Sequence, residues 1–314
     1  MVDMSTKILD GIMGLAVGDA FGVPYEFVER ERVKKILCRE MVGAGTHGQK
    51  AGTWSDDTSL TLCLLDNLDK NPNYYKIMHS FTLWYEKGAY TANGNCFDIG
   101  ITTRRAIKRY ESGIYPLACG SKEFLSNGNG SLMRILPMVF YIAKYKGFQL
   151  NIESFDIIHK ISALTHAHPL SFVACDIYVN FGILLLHGYT ISDAYEEVTE
   201  KIMQYIDIQD SYSEWLKEFE IISNLRKYKE EDIKSSGYVV DSLIAAIWSL
   251  LNSGSYEECI FTSVGLGNDT DTIAAIAGGL AGIYYGYETI PTDWIQNLQN
   301  KEFIMAVCHK WNNK

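Results

Sequence analysis

The stretch Gly265–Gly286, "GLGNDTDTIAAIAGGLAGIYYG", sets two aspartates and two threonines directly in front of a run of alanine, glycine and isoleucine. Ile273, Ile276, Leu280 and Tyr284 recur at helical spacing. Between them stand small residues: Ala274, Ala275, Ala277, Gly278, Gly279, Ala281 and Gly282. A helix that is apolar or small on every side is a buried one, and small residues let it approach its neighbours closely. Its N-terminus then lies away from open surface. Asp269 or Thr270 can cap that terminus and Asp271 can sit in the first turn, where the helix dipole favours an anion by about 0.3–1 kcal/mol. A cap needs one acceptor, yet this one brings two carboxylates with flanking hydroxyls.

The same surplus occurs in "TWSDDTSLTLCLLDNL" (53–68). Leu60, Leu64, Leu65 and Leu68 form one helix face, Ser55 or Asp56 can cap it, and Asp56 and Asp57 occupy its first turn. Taken singly, each stretch reads most simply as a capped helix. If the two helix starts converge, four carboxylates crowd together. Two of them about 4 Å apart repel by about 4 kcal/mol at an effective dielectric near 20. Protonation, water or a cation must relieve that repulsion, and an oxygen-only donor set suits Mg²⁺, Mn²⁺ or Ca²⁺.

The rest of the chain is also helical in period. Ile8, Ile12, Leu15 and Ala16 share a face, as do Ile157, Ile161 and Leu164, and Leu243, Ile247, Leu250 and Leu251. Sustained two-residue alternation is missing, so the expected fold is all-α, a compact multi-helix bundle in one domain over residues 1–314. Polar, Gly-rich loops are expected at 18–27, 43–59, 126–137, 165–171 and 265–272, and such loops on a helical scaffold are where binding sites are built. The segment 191–234 reads instead as solvated amphipathic helices with i,i+4 charge pairs and no chemistry.

Composition narrows the function classes. The chain has 314 residues, 47% hydrophobic and 21% charged, an ordinary soluble composition. Its net charge of −10 argues against a broad basic face for nucleic acid, while leaving room for a local phosphate pocket. Seven scattered cysteines without a CxxC pair point to reduced, cytoplasmic thiols rather than a disulfide framework or thiolate zinc site. No signal peptide is expected, nor a membrane span; the nearest charge-free apolar run, Ile273–Tyr287, is too short.

Five motifs in order, "GDAFGVPYE", "WSDDT", "GNGSLMR", "THAHP" and "GNDTDTIAAIAGGLAG", together resemble the ADP-ribosylglycohydrolases, and they span roughly residues 11–286. The resemblance implies an all-α orthogonal bundle of that family's type, with two Mg²⁺ or Mn²⁺ ions at the bottom of a cleft. It implies metal ligation by Ser55, Asp56, Asp57, Asp269, Asp271 and Thr272, with Asp271 bridging both ions. Glu26 matches a mobile-loop glutamate at the metal or the substrate. Asn129, Gly130, Ser131 and Met133 match a loop around the distal ribose and diphosphate, His166 a histidine near the phosphates, and Asp98 a further cleft segment.

From the residues alone, Glu26 after Pro24 reads as a solvated loop acid, and "GNG" as a tight turn that tolerates positive φ. His168 before Pro169 reads as structural, and Arg134 as a tie between loop carbonyls. His166 divides evenly between a satisfied buried histidine and a ligand contact.

The activity implied is hydrolysis of the bond at the anomeric carbon of ADP-ribose on a modified protein, most plainly on arginine. Asp56 or Asp57 would serve as base, with Glu26 positioning substrate or assisting the leaving group. Expected partners are an ADP-ribosylated protein or an ADP-ribose-containing small molecule, with no nucleic acid, no membrane and a monomeric chain. Serine-linked ADP-ribose hydrolysis, a metal-dependent nucleotide phosphohydrolase and a non-catalytic ADP-ribose-binding protein stand as alternatives.

Overall fold

The computed structural model describes residues 4–208 and 213–314. Its N-terminal half holds α1 (Met4–Gly22), α2 (Arg30–Ile36), α3 (Asp56–Asn67), α4 (Tyr74–Lys87), α5 (Ile101–Glu111), α6 (Pro137–Tyr145) and α7 (Ile152–Ala163). Then come α8 (Pro169–Leu186), α9 (Ile191–Ile208), α10 (Ser213–Leu216), α11 (Val239–Leu251), α12 (Tyr256–Gly265), α13 (Thr270–Tyr285), α14 (Thr292–Asn297) and α15 (Lys301–Asn312). Among the described residues there is no strand, only four isolated bridges between loops. Each apolar periodicity noted above falls in one of these helices, with Leu68 and Leu164 as the C-caps of α3 and α7.

The middle of the molecule is α1 against α13. Every residue of α13 from Thr270 to Ile283 is buried. Its small residues bring the two backbones into contact. A Cβ on Gly14 would lie 2.3 Å from the Gly278 carbonyl oxygen, and one on Gly18 2.2 Å from that of Ala274. At the end nearest the acidic motifs, a Cβ on Gly22 would meet the Asp271 Cα at 2.4 Å. The end of α1 and the start of α13 are therefore locked together at the carboxylates.

Two segments differ from expectation. Residues 18–22 are the last turn of α1 rather than loop, because Gly18 and Gly22 are there for close packing and not for chain reversal. The segment 213–232 is one α-turn that tightens into a 3₁₀ run, Lys217–Lys227. Its buried residues, Leu216, Phe219, Ile222 and Leu225, recur every third position, which matches a three-residue turn better than a 3.6-residue one. In α9 the solvated reading holds, with Lys201 on Glu197 at 2.9 Å, i,i+4. Residues 209–212 of that expectation lie outside the described residues.

Thr6–Tyr25 and Pro169–Leu186 are each long and apolar enough to cross a membrane, but both are 89% buried within the fold. Pro169–Leu186 is a more apolar span than the Ile273–Tyr287 run singled out from sequence.

The α1–α13 contact yields a prediction. Gly278→Ala should destabilise the chain by roughly 1–3 kcal/mol in urea or thermal unfolding, because the new methyl meets backbone that cannot step aside. Gly265→Ala, with nothing within 4 Å of its Cβ, should be neutral or slightly stabilising.

Candidate metal centre and its cleft

The two acidic helix starts do converge. Thr272 Oγ1 donates to Asp57 Oδ2 at 3.4 Å, across 215 positions of sequence. Ser55 is the N-cap of α3: its Oγ accepts the Asp57 N–H at 3.3 Å and donates to Asp57 Oδ2 at 3.0 Å. Asp269 is the N-cap of α13.

The "NDTDT" turn is held by its other members. Thr270 Oγ1 donates to the Gly22 carbonyl at 2.8 Å. Asn268, in the left-handed region at φ 62°, exchanges backbone hydrogen bonds with Phe27 (2.6 Å) and Val28 (2.8 Å). That exchange ties the Glu26 segment to the acidic turn. Phe27 (φ 61°) and Asp98 (φ 57°) are also left-handed, a conformation costing non-glycine residues about 1–3 kcal/mol that clusters at functional sites.

Seven carboxyl groups meet here: Asp19, Glu26, Asp56, Asp57, Asp98, Asp269 and Asp271. Asp19, Asp57 and Asp271 each bring an oxygen within 4.8 Å of the others, as do Glu26, Asp269 and Asp271, so Asp271 belongs to both carboxylate triads, while a third group joins Glu26 and Asp98 to the His47 ring. Burial pushes all seven pKa values up. Glu26 and Asp98 rise to about 8 and Asp19 to about 6, with the neighbouring carboxyls adding to burial for Glu26 and Asp98. None of the seven forms an ion pair with Lys or Arg among the described residues; only His47 approaches, touching Glu26 and lying 3.7 Å from Asp98. Asp57 Oδ1 and Asp271 Oδ2 are buried with no hydrogen-bond partner.

A cleft of about 320 Å³ opens onto this cluster. Glu26, Asp56, Asp98, Asn129, Gly130, Met133, His166, Asp269 and Thr272 from the sequence reading all line it. Ser55, Asp57 and Asp271 lie behind it, fully buried. Ser131 is also behind: its hydroxyl accepts from Ser162 at 2.9 Å and lies 3.8 Å from the Cys175 sulfur, facing the core. Asn129 commits its side chain to the acids, donating to Asp269 Oδ2 at 2.7 Å and to Ser242 at 2.9 Å. His166 packs against Gly130, with Nδ1 2.8 Å from the Thr165 hydroxyl, and burial holds its pKa down to about 3. His168 caps α8 by accepting the Leu170 N–H, and Arg134 donates to the Gly130 and Ile161 carbonyls; both are structural.

Sequence reading passed over Asp19, His47, Thr103 and Gly237. Asp19 is the residue that sets α3 in place. Its carboxylate accepts from Ser55 N at 2.9 and 3.0 Å, from Thr58 N at 3.0 Å and from Thr58 Oγ1 at 2.6 Å. The small-residue frame around it, "GDAFG", was the available signal. Gly237 lines the cleft, where a Cβ would lie 3.3 Å from Asp269 Oδ2.

A pH prediction follows from these shifts. Each carboxyl holds its proton to higher pH when folded than when unfolded, so its contribution is complete below the ordinary carboxyl range and is lost as pH rises through the folded value. Metal-free protein should therefore melt at falling temperature from about pH 5 to about pH 9, most steeply up to the value near 8 that Glu26 and Asp98 share. Excess Mn²⁺ should flatten the curve, as differential scanning fluorimetry will read.

Known proteins resemble this chain along nearly its whole length. The profile of the ADP-ribosylglycohydrolase family matches residues 2–313. The chain is 32% identical over 314 residues to an ADP-ribosylarginine hydrolase of Serratia proteamaculans, covering 97% of this chain and 78% of that one. It is 29% identical over 299 residues to the ADP-ribosyl-[dinitrogen reductase] glycohydrolase of Rhodospirillum rubrum, covering 94% and 91%. Among solved structures, an ADP-ribosylglycohydrolase-related protein complex aligns with a TM-score of 0.76 at 25% identity, covering all of this chain and 99% of that chain. With its whole length matched and its acidic helix starts brought together in one cleft, the chain belongs to the ADP-ribosylglycohydrolase family.

Proposed function

We propose that this chain is a metal-dependent hydrolase that releases ADP-ribose from modified proteins by cleaving the bond at its anomeric carbon, with arginine as the acceptor. The observation that carries the reading is the pair of orphaned oxygens, Asp57 Oδ1 and Asp271 Oδ2, buried in a carboxylate cluster beneath an open cleft. A buried carboxylate oxygen without a donor is costly, and a hard divalent cation is the partner that this donor set fits. The arginine assignment rests on the name of the Serratia relative.

By family resemblance, Ser55, Asp56, Asp57, Asp269, Asp271 and Thr272 are the residues that would hold two Mg²⁺ or Mn²⁺ ions; of these, Asp271 belongs to both carboxylate triads. Such ions would supply a nucleophilic water at neutral pH and a template for the ribose hydroxyls. Of the two candidate bases, Asp56 faces the cleft and Asp57 does not, so Asp56 is the one that would accept a proton from an attacking water. Glu26 stands at the cleft wall, where its carboxyl is placed to give a proton to the departing guanidine nitrogen. The remaining carboxylates favour the positive charge that develops on the ribose ring. Among the described residues no Lys or Arg lines the cleft, so the diphosphate falls to the Gly128–Gly130 backbone, the Thr103 hydroxyl and neutral His166.

The test is release of ADP-ribose from an arginine-ADP-ribosylated protein in Mg²⁺ or Mn²⁺, read by chromatography. Asp271→Ala, or EDTA on the wild type, should lower kcat/KM by at least about 100-fold, and Glu26→Gln should lower kcat more than it raises KM. Release of AMP or phosphate instead of ADP-ribose would replace this reading with a phosphohydrolase, and full activity in EDTA would remove the metals from it.

A further inference from the structure

Helix α5 concentrates positive charge: Lys108 and Arg109 suit its last turn, but two more cations precede them. Its sequence "ITTRRAIKRYE" puts Arg104, Arg105, Lys108 and Arg109 within six positions, in a chain whose net charge is −10. Arg104 with Lys108 and Arg105 with Arg109 are like-charge pairs at i,i+4, each of which weakens a helix. No acid occupies the first turn, and two arginines stand near the positive end of the dipole. Only one of the four charges, Lys108, meets an acid among the described residues, and it also lies over the Tyr85 ring. Lys108 pairs with Glu111 at 2.8 Å. Arg109 reaches only the Cys119 carbonyl and Arg104 only that of Ile99, while Arg105 has no polar partner among the described residues. Arg104, Arg105 and Lys108 are exposed. With Arg109 and Ser112 these side chains line an open depression of about 380 Å³ that contains no acid.

Position gives the depression a purpose. The first residues of the same helix, Ile101 to Thr103, line the cleft, so the cationic strip starts at its mouth and leads outward. It lies outside the cleft, whose own lining has neither Lys nor Arg. From Thr103 to Arg109 the helix advances about 9 Å, the reach of about three residues of extended peptide. Guanidinium groups on such a strip match carboxylates in paired geometry.

We infer that the α5 strip is a docking surface for acidic side chains of the modified protein, lying within about three residues of the modified arginine along the chain. This inference rests on the hydrolase reading for its substrate, but the contact itself is independent of catalysis. The strip selects the carrier protein, while the cleft processes the ADP-ribose.

The experiment uses one peptide ADP-ribosylated on a single arginine and flanked by glutamates, a serine-flanked twin, and free ADP-ribosylarginine. Wild-type enzyme should show about a tenfold lower KM for the acidic peptide than for the serine peptide at low salt, with equal kcat, and the gap should close at high salt. Arg105→Glu/Lys108→Glu should abolish the gap and leave free ADP-ribosylarginine turnover unchanged. Arg105→Ala/Lys108→Ala serves if the reversed pair does not fold. Equal KM values for the two peptides in the wild type, or a gap that survives in the variant, overturn the inference, as does an equal loss on free ADP-ribosylarginine. Fluorescence anisotropy of the unmodified, labelled acidic peptide decides the docking separately from hydrolysis. Binding to wild type that the variant loses supports it even if no substrate is cleaved, and indistinguishable binding refutes it.

Discussion

Seven carboxyl groups are confined to one region of this protein with no Lys or Arg paired to them among the described residues and only His47 beside two of them, and everything else at the centre answers to that constraint. Burial alone disfavours their charged forms, and mutual repulsion adds to it. At an effective dielectric near 20, each close pair costs about 4 kcal/mol when ionised. The fold does not dilute this cost. It concentrates the groups and leaves Asp57 Oδ1 and Asp271 Oδ2 with no donor at all.

The scaffold that enforces the crowding is built from glycine and alanine. Because Gly14, Gly18 and Gly22 carry no side chain, α1 lies against the backbone of α13 and its last turn touches Asp271. Asp19, in that same turn, then reaches the N-terminus of α3 and captures two backbone N–H groups and a hydroxyl. One helix thus positions both acidic motifs. A carboxylate with that many donors is the least perturbed group of the inner triad, so Asp19 serves as a strut, while Asp57 and Asp271 keep free oxygens. Asn129 extends the network to the Gly-rich loop by holding Asp269, which couples the wall of the cleft to its floor.

Much of this was legible in the sequence. The apolar period of α13 and the surplus acids of "NDTDT" and "SDDT" identified a buried helix start with more carboxylates than a cap requires. What periodicity could not show was that residues 57 and 272 touch, because that contact depends on how α1 packs. His47 was invisible for the same reason, since it reaches Glu26 and Asp98 only when three loops fold over one another. Asp19 is hidden by a helix boundary: Gly18 and Gly22 have the composition of a loop but are packing residues of α1. The 3₁₀ run at Lys217–Lys227 was legible in principle, because its apolar positions repeat by three. Side-chain direction was not: Ser131, next in sequence to cleft-lining Gly130, is fully buried and sets its hydroxyl against Ser162.

Calorimetric titration of the metal-free protein with Mn²⁺ at neutral pH, repeated in two buffers of different ionisation enthalpy, tests the central claim most directly. Carboxyls that hold protons for want of a partner must release them when a cation arrives. The account predicts two ions bound per chain with net proton release, and loss of at least one of them in Asp271→Ala. Binding with no proton release, or no binding at all, would contradict it.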